Sequence, residues 1–506
     1  MTMMKWLVLV FYGLMLAGMI IFTARRSLSL HDFLLGGRGI GPWLSALSYG
    51  SSYFSAVILI GYAGAVGWQV GTSAIWMGIG NAVIGSWLAW ALLAKPTRLM
   101  GEQLKVSTMP GFFEKRYDSR FLKLLSAMVT FVFLLPYSAS VYRGLGGIFQ
   151  RAMGMDYTWT MVLIAILSGL YLFFGGYKAT ALTDVIQAGI MALGMVMVVL
   201  YVVRGAGGFA HGLQVLNTPE ISGGTFGSLI PPLGNRRWLL TNVLLTSVGV
   251  LGMPQMVHKF FAIRDEGSIR RAKVISTCFA LVVACGAYLT GSFSRAILPF
   301  LPFNGEINQF QAVAQGLMGK DEIMPNILTD GTMVAMPEAF QGLLVVLLLS
   351  ASISTLTGLV LSSASVVTVD LIGTLRPNMG SHRAAWIMRG LCLLFVLFSL
   401  AVNFLMQGTP IMSLMSLSWG AIAGSFLAPF LYGLLWKGAN KAGAMAGMVT
   451  GLLISIVPPV VTGDFGSAPL WGTVAMGAGM VAVPVASWLA RYLPLVRRDK
   501  VMEEGG

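Results

Sequence analysis

"LLSASISTLTGLVLSSAS", Leu348–Ser365, lies in a run with no charge between Glu338 and Asp370, yet eight of its 18 residues carry a hydroxyl. A segment this apolar belongs in lipid or in the interior of a membrane protein. A single Ser or Thr in such a helix usually bonds back to the carbonyl four residues earlier or to a neighbouring helix. The spacing here offers a second reading. Ala351, Ser354 and Thr355 stand at i, i+3 and i+4, so both hydroxyls share a face with the Ala351 carbonyl, which keeps a spare lone pair. Three neutral oxygens suit a hard monovalent cation, and the freed carbonyls of a broken facing helix would complete its shell. Ser350 shares that face, whereas Ser363, about half a rotation away from Ser354, reads as interhelix packing.

The whole chain has the same bias. It is 56% hydrophobic and 10% charged with a mean hydropathy of +0.79, against about 25% charged residues in ordinary globular domains. Spans of roughly 20 apolar residues fall near 4–24, 42–66, 73–94, 121–148, 158–175, 183–203, 239–263, 272–297, 341–373, 385–405, 411–436, 441–463 and 469–490. That predicts an all-α integral membrane protein of about 13 helices in a single transmembrane domain, 1–506. Lys5 precedes the first run and Arg25 and Arg26 follow it without a small-residue cleavage site, which reads as a retained anchor.

Net charge is +14, and with the N-terminus outside about 25 of the 33 Lys and Arg fall in inner loops. The positive-inside rule then gives N-out, C-in in a cytoplasmic (inner) membrane and removes any need for a nucleic-acid partner. Cys278, Cys285 and Cys392 read as packing residues, and the four histidines form no metal cluster or proton relay. The outer loops 204–238 and 298–340, the second with Glu306, Asp321, Glu322, Asp330 and Glu338, either cover an outer gate or are solvated linkers. No stretch has the pattern of a soluble catalytic or regulatory domain, so an enzyme is not expected.

Two spans contain helix-weakening residues. "SALSYGSSYFSA" places Gly50, Ser51 and Ser52 midway along the second span, and "SVGVLGMPQ" places Gly249, Gly252 and Pro254 midway along the seventh. Pro254 removes an N–H and frees a carbonyl. Such residues also pack membrane helices closely. Their positions five spans apart fit inverted repeats at 42–203 and 239–436, with a leading helix 4–24 and two trailing helices within 441–490.

With these pieces in hand, the chain resembles the sodium/solute symporter family, most closely its proline and pantothenate branches. The resemblance rests on "FLLGGRGIGPWLSALS" around Arg38, "TMPGFFEKRY" from Thr108, "FFGGYKATALTDVIQA" through Asp184, "GMPQMVHKFFAIRD" from Gly252 and "ISTLTGLVLSSASVVTVDLI" from Ile353. It implies the leucine-transporter type of fold, with inverted five-helix repeats. It also implies a sodium site made by the Ala351 carbonyl, the Ser354 and Thr355 hydroxyls and the backbone carbonyls of Ser51 and Phe54. Asp184 and Arg38 match positions tied to ion release and coupling, although Asp184 also reads as a helix-end residue beside Lys178.

The match departs from the proline branch in the pocket. Tyr53 stands where that branch has an aspartate, and Thr246 and Val250 stand where it has aromatic residues. Ser55 matches a substrate-contacting serine. Met253 and Pro254 at the second break complete the candidate substrate set with Tyr137 and Trp419, which either line the pocket or pack. Arg143 either serves as a counterion for an acidic solute or snorkels to the outer surface. The expected function is co-transport of sodium, the implied cofactor, with a small solute such as a monocarboxylate, a pantothenate-like acid or an amino acid. The partners are that solute and the lipid bilayer. Rival expectations are a sodium-independent or proton-coupled carrier on the same fold, and a ligand-sensing membrane receptor.

Overall fold

Backbone groups in lipid find no water, so long apolar runs must satisfy their hydrogen bonds internally as helices. The computed structural model describes residues 3–24, 34–35, 38–222, 225–329, 337–376 and 378–492; Arg25, Arg26, His31, Asp330 and Lys500 lie outside them. The described residues form an all-α fold whose β pairing is limited to isolated bridges such as Ile40 with Ile263. The helices used below are α1 (Met3–Ala24), α2 (Pro42–Tyr53), α3 (Gly64–Val70), α4 (Arg120–Met153), α5 (Tyr157–Gly205), α6 (Arg236–Val248), α7 (Pro254–Ala262), α8 (Glu266–Ala280), α9 (Gly286–Ile297), α10 (Glu338–Ser365), α11 (Ser381–Leu405), α12 (Ile411–Leu435), α13 (Lys441–Thr462) and α14 (Ala468–Tyr492).

Among the described residues ten helices are long and apolar enough to cross a membrane, or eleven if the bent pair around Met253 is one span. Thirteen were expected, and two features account for the difference. Residues Pro42–Gln103 form one helical path of 62 residues, about 93 Å at 1.5 Å per residue and three times a bilayer core. The chain turns within it at Gly71, whose φ is +58°. The leading helix α1, Met3–Ala24, is not among the ten. The loop expected near Lys178 is absent, since the backbone of α5 stays helical from Tyr157 to Gly205.

The outer helices carry exposed apolar stripes at helical spacing. Leu193, Val196 and Leu200 on α5, Leu453, Val457 and Val460 on α13, and Val481 and Val485 on α14 are examples. Such stripes face lipid. In contrast, 94% of the most apolar window of α10 and of α12 is buried, against 33% in α11 and α13, so α10 and α12 form the centre. Around α10 pack α1, α2, α4, α5 and α11. The hydroxyl-rich stretch is therefore buried in protein and not in lipid.

Both weak spans are interrupted. In the second, α2 ends at Tyr53 and Phe54 is extended (φ −105°, ψ 100°), with π-helical turns over Val57–Ala63 before α3. The break lies beyond the expected Gly50–Ser52. Gly50 stays helical and packs against α8, since a Cβ there would stand 2.4 Å from the Phe279 ring; it is a packing glycine. In the seventh span a 3₁₀ turn, Gly249–Gly252, leads to extended Met253, with Pro254 opening α7 and a 44° bend between the halves. The carbonyl that Pro254 was expected to free, that of Val250, accepts the Met253 N–H at 3.2 Å.

The half of the second span beyond the break is held backbone to backbone against α9. A Cβ on Gly67 would lie 1.9 Å from the Gly291 carbonyl oxygen, and one on Gly291 would lie 1.9 Å from that of Ala63. Gly67→Ala or Gly291→Ala must therefore push the helices apart, at a cost of about 1–3 kcal/mol or more. Size-exclusion chromatography in detergent should show loss of monodisperse protein for both variants. Gly13→Ala, with open space around its Cβ, should elute like the parent.

Candidate functional site

The interruption of α2 removes the amide partners that the carbonyls of residues 51 and 52 would have in a continuous helix. The opposite face belongs to α10. Thr355 Oγ1 stands 3.1 Å from the Ala351 carbonyl, 3.2 Å from that of Ser52 and 3.5 Å from that of Ser51. All of these residues are buried. Hard cations of sodium's size sit roughly 2.3–2.6 Å from oxygen ligands, which places ligands at right angles about 3.2–3.7 Å apart. Phe54, Ser55 and Ala351 border a small, mostly apolar cavity of about 10 Å³ with Ile58, Met191 and Leu348. The structure thus brings Ser51, Ala351, Ser354 and Thr355 together, with the Ser52 carbonyl as an unforeseen member, whereas Phe54 meets the group only through the small cavity it shares with Ala351.

Ser354 belongs to two groups at once. Its Oγ is 2.8 Å from Ser51 Oγ and 2.7 Å from Asp184 Oδ1. Its one proton has both acceptors in reach, of which the carboxylate is the stronger, and the Ser51 hydroxyl donates to the Ser48 carbonyl at 3.4 Å. The other carboxylate oxygen accepts the Ser48 hydroxyl at 2.5 Å, and Ser48 in turn accepts from Lys259 Nζ at 2.6 Å. Lys259 Nζ lies 3.8 Å from Asp184 Oδ2 and 5.1 Å from the centre of the Tyr177 ring. Asp184 is 1% exposed and Lys259 3%, so this is a fully buried ion pair joining α5 to α7 through α2.

Ser48 and Lys259 were missed from the sequence although both lie in motifs that carried the resemblance. The available signal was a lysine inside an apolar span, since intramembrane charges are rare without a partner. The neighbours of Asp184 are engaged too: Gln187 donates to Tyr12 (2.9 Å) and Tyr171 to Thr183 (2.6 Å). Arg38 is not part of this cluster. Its guanidinium donates to the carbonyls of Gly101 and Val106 at 3.2 and 2.9 Å, with its own backbone at φ +54°.

The substrate candidates divide. Tyr53 stacks on Phe54 (centroids 4.4 Å apart) and on Trp419 (6.1 Å), and Trp419 meets Tyr137 edge-on at 5.8 Å. The Tyr53 hydroxyl donates to the Thr246 carbonyl at 2.6 Å. A Cβ on Gly249 would touch Trp419 at 3.7 Å, so the second break backs the same aromatic cluster. Tyr53, Tyr137, Thr246 and Trp419 are thereby brought together. Ser55 borders the small apolar cavity beside Ala351, and its Oγ accepts the Val57 N–H at 3.2 Å. Pro254 borders a different small cavity with Thr108, His258, Ser362 and Ser365. Val250 and Met253 are buried at the break.

A cavity of about 580 Å³ lies on the side of the long loops, bordered by Arg143, Trp238, Asp321, Thr409, Met412 and Ser413. Ser416, one turn from Ser413 and one from Trp419, bonds Tyr62 at 2.7 Å, a bar between this cavity and the aromatic cluster. Arg143 neither snorkels nor stands free. It donates to the carbonyls of Met406 (2.6 Å), Asn403 (3.3 Å) and Thr409, capping the C-terminus of α11. In the loop, Asp321 accepts the Ile411 N–H at 2.8 Å at the start of α12. Burial lifts its carboxyl to about 6, against the opposing pull of that N–H and of Arg143.

Comparison with known proteins bears on what this arrangement serves. The sodium/proline symporters of Salmonella typhimurium strain LT2 and Escherichia coli strain K12 are each 28% identical over 456 residues, 88% of this chain and 85% of theirs. The osmoregulated proline transporter of Bacillus subtilis is 28% identical over 447 residues, 87% of this chain and 85% of its own. Among solved structures, a Na+-coupled sialic acid symporter in a substrate-bound outward-open state superposes with a TM-score of 0.76 at 17% identity, over 96% of this chain and 98% of that one. The nucleobase-cation symporter MHP1 follows at 0.55 and 15%, over 93% and 96%. The fold is that of sodium-coupled, multi-pass secondary transporters. The model of the sodium:solute symporter family matches residues 33–451, and the chain belongs to that family: a transporter that couples sodium to movement of a small solute, and not an enzyme.

Proposed function

We propose that this chain is an inner-membrane symporter that drives uptake of a small carboxylate-bearing solute with sodium bound between α2 and α10. The observation that carries the reading is the set of three carbonyl oxygens within 3.1–3.5 Å of Thr355 Oγ1 at a helix interruption. The ligands are the carbonyls of Ser51, Phe54 and Ala351 and the hydroxyls of Ser354 and Thr355, with the Ser52 carbonyl in reserve. Asp184 serves the ion on its way to the cytoplasm. The proposed frame is thirteen spans, N-terminus outside and C-terminus inside. Its inverted repeats run over 42–203 and 239–436, counting Pro42–Gln103 as two spans and α1 as the leading helix.

Coupling follows from chain continuity. Ser51 and Ser52 lie immediately before Tyr53, and Ser55 immediately after Phe54, so an ion that fixes the break also fixes Tyr53 and Ser55 for the solute. Each ligand then raises the other's affinity. Tyr53, Tyr137, Thr246 and Trp419 form the pocket wall. Because Arg143 is spent on helix capping, a solute carboxylate would be met by the sodium ion and by the positive N-terminal end of α7. The names of the relatives favour proline as a second reading. Against it stand Thr246 and Val250 at positions that are aromatic in the resemblance to the proline branch.

Uptake into proteoliposomes should require sodium and persist when a pH gradient is collapsed; equal uptake in potassium and sodium would remove the proposal in favour of a sodium-independent carrier. Thr355→Ala removes one ligand, a loss of about 1.5–3 kcal/mol by analogy with hydrogen bonds to charged groups. That is about 10- to 100-fold weaker sodium activation. Ser354→Ala should weaken it at least as much, since it also strips a donor from Asp184, whereas Ser363→Ala, about 13 Å further along α10, should match the parent.

A competition assay tests the solute class. Excess proline should displace radiolabelled uptake of a small organic acid poorly. High-affinity sodium-dependent proline uptake would show that the pocket takes the solute of the named relatives.

A further inference from the structure

The buried pair beside the proposed ion site has a consequence for how many sodium ions the protein holds. Asp184, with the hydroxyls of Ser48, Ser51 and Ser354 around it, supplies one anionic and several neutral oxygens within hydrogen-bond reach of one another. In an interior of low dielectric that set would draw a second hard cation. Lys259 already stands there, 2.6 Å from the Ser48 oxygen and 3.8 Å from the carboxylate, with the face of Tyr177 on another side. We propose that the Lys259 ammonium is a tethered cation that takes the place of a second sodium beside Asp184 and restricts the protein to one sodium ion.

The reasoning is one of charge and access. With Lys259 present, Asp184 is neutralised before sodium arrives, and one sodium among the neutral oxygens of Ser51, Ala351, Ser354 and Thr355 leaves the buried region at a net charge of +1. A second sodium would raise that to +2 with no further anion within reach in this cluster, a costly arrangement away from water. Without Lys259, Asp184 is an uncompensated buried anion that Ser48 and Ser354 have already oriented. The two places share Ser354, whose hydroxyl touches both Ser51 and Asp184. Lys259 therefore acts on the ion site without being a ligand in it. Its neighbour on α7, His258, is buried against Tyr177 with ring centroids 5.0 Å apart and adds no anion.

This inference rests on the sodium-site reading above, and the experiment separates the two. Equilibrium binding of radioactive sodium to purified full-length protein in detergent, with no solute added, counts ions and measures affinity. The parent should bind one sodium per chain. Lys259→Met should bind two, the second lost again in Lys259→Met/Asp184→Asn, and Lys259→Arg should bind one. If Lys259→Met does not fold, Asp184→Asn decides. It leaves the ammonium uncompensated beside the site and should weaken sodium at least tenfold, with recovery to within about threefold in the double variant. A single sodium of unchanged affinity in Lys259→Met, or equal affinities in Asp184→Asn and the double variant, would overturn the proposal. Failure of the sodium site itself shows elsewhere, as parent-like sodium binding in Thr355→Ala.

Discussion

A helix in a membrane protein interior is interrupted only where other groups receive the backbone it gives up. The break after Tyr53 satisfies that constraint through α10, whose Thr355 hydroxyl faces the carbonyls of Ser51 and Ser52. Much of the molecule follows from this meeting. It explains why α10 is buried and uncharged yet rich in hydroxyls, since a smooth Leu face would leave those carbonyls without partners. It explains why the half of the span beyond the break is clasped at Gly67 against Gly291, because a separated half-helix needs a rigid neighbour to hold its direction. It also sets Tyr53 at the edge of the break, where its ring joins Phe54 and Trp419.

Charge is handled by the same economy. Arg116 donates to the carbonyls of Gly433, Trp436 and Ala439 at the end of α12, and Arg143 does the same for α11. Asp321 meets the opposite, N-terminal end of α12. Each places a full charge at the end of a helix dipole of opposite sign, where a guanidinium also fills several orphan carbonyl bonds. Asp184 and Lys259 have no helix end to cap. They neutralise each other through Ser48, beside the hydroxyl of Ser354.

A cavity of about 580 Å³ opens on the long-loop side, whereas the one beside Pro254 and His258 is about 10 Å³. Between the large cavity and the aromatic cluster stands the Tyr62–Ser416 bond, so passage toward Tyr53 and Trp419 requires α12 and the π-helical turns to separate at that point. Asp321 holds the first residue of α12 from a loop that borders the same cavity, which ties the movement of that helix to the loop.

Periodicity and composition were enough for the all-α membrane class, the existence of two interrupted spans and the face shared by Ala351, Ser354 and Thr355. Each of these is a local property: apolar length, helix weakness, and side-chain direction at i, i+3 and i+4. The position of the first break was not local. Gly50 reads as a weak point in isolation but is a packing residue within the helix, with Phe279, more than two hundred residues away, filling the space its missing Cβ leaves. Arg143 looked like a counterion or a snorkelling side chain until α11 ended beside it. The carbonyl below Pro254 looked free until Met253 turned back to it. Asp184 could be read as an isolated helix-end acid, because Ser48 and Lys259 are 136 and 75 residues from it in sequence. Sequence by itself determined what each helix offers; which offers meet was decided by packing, since a buried polar group is defined by the partner it finds.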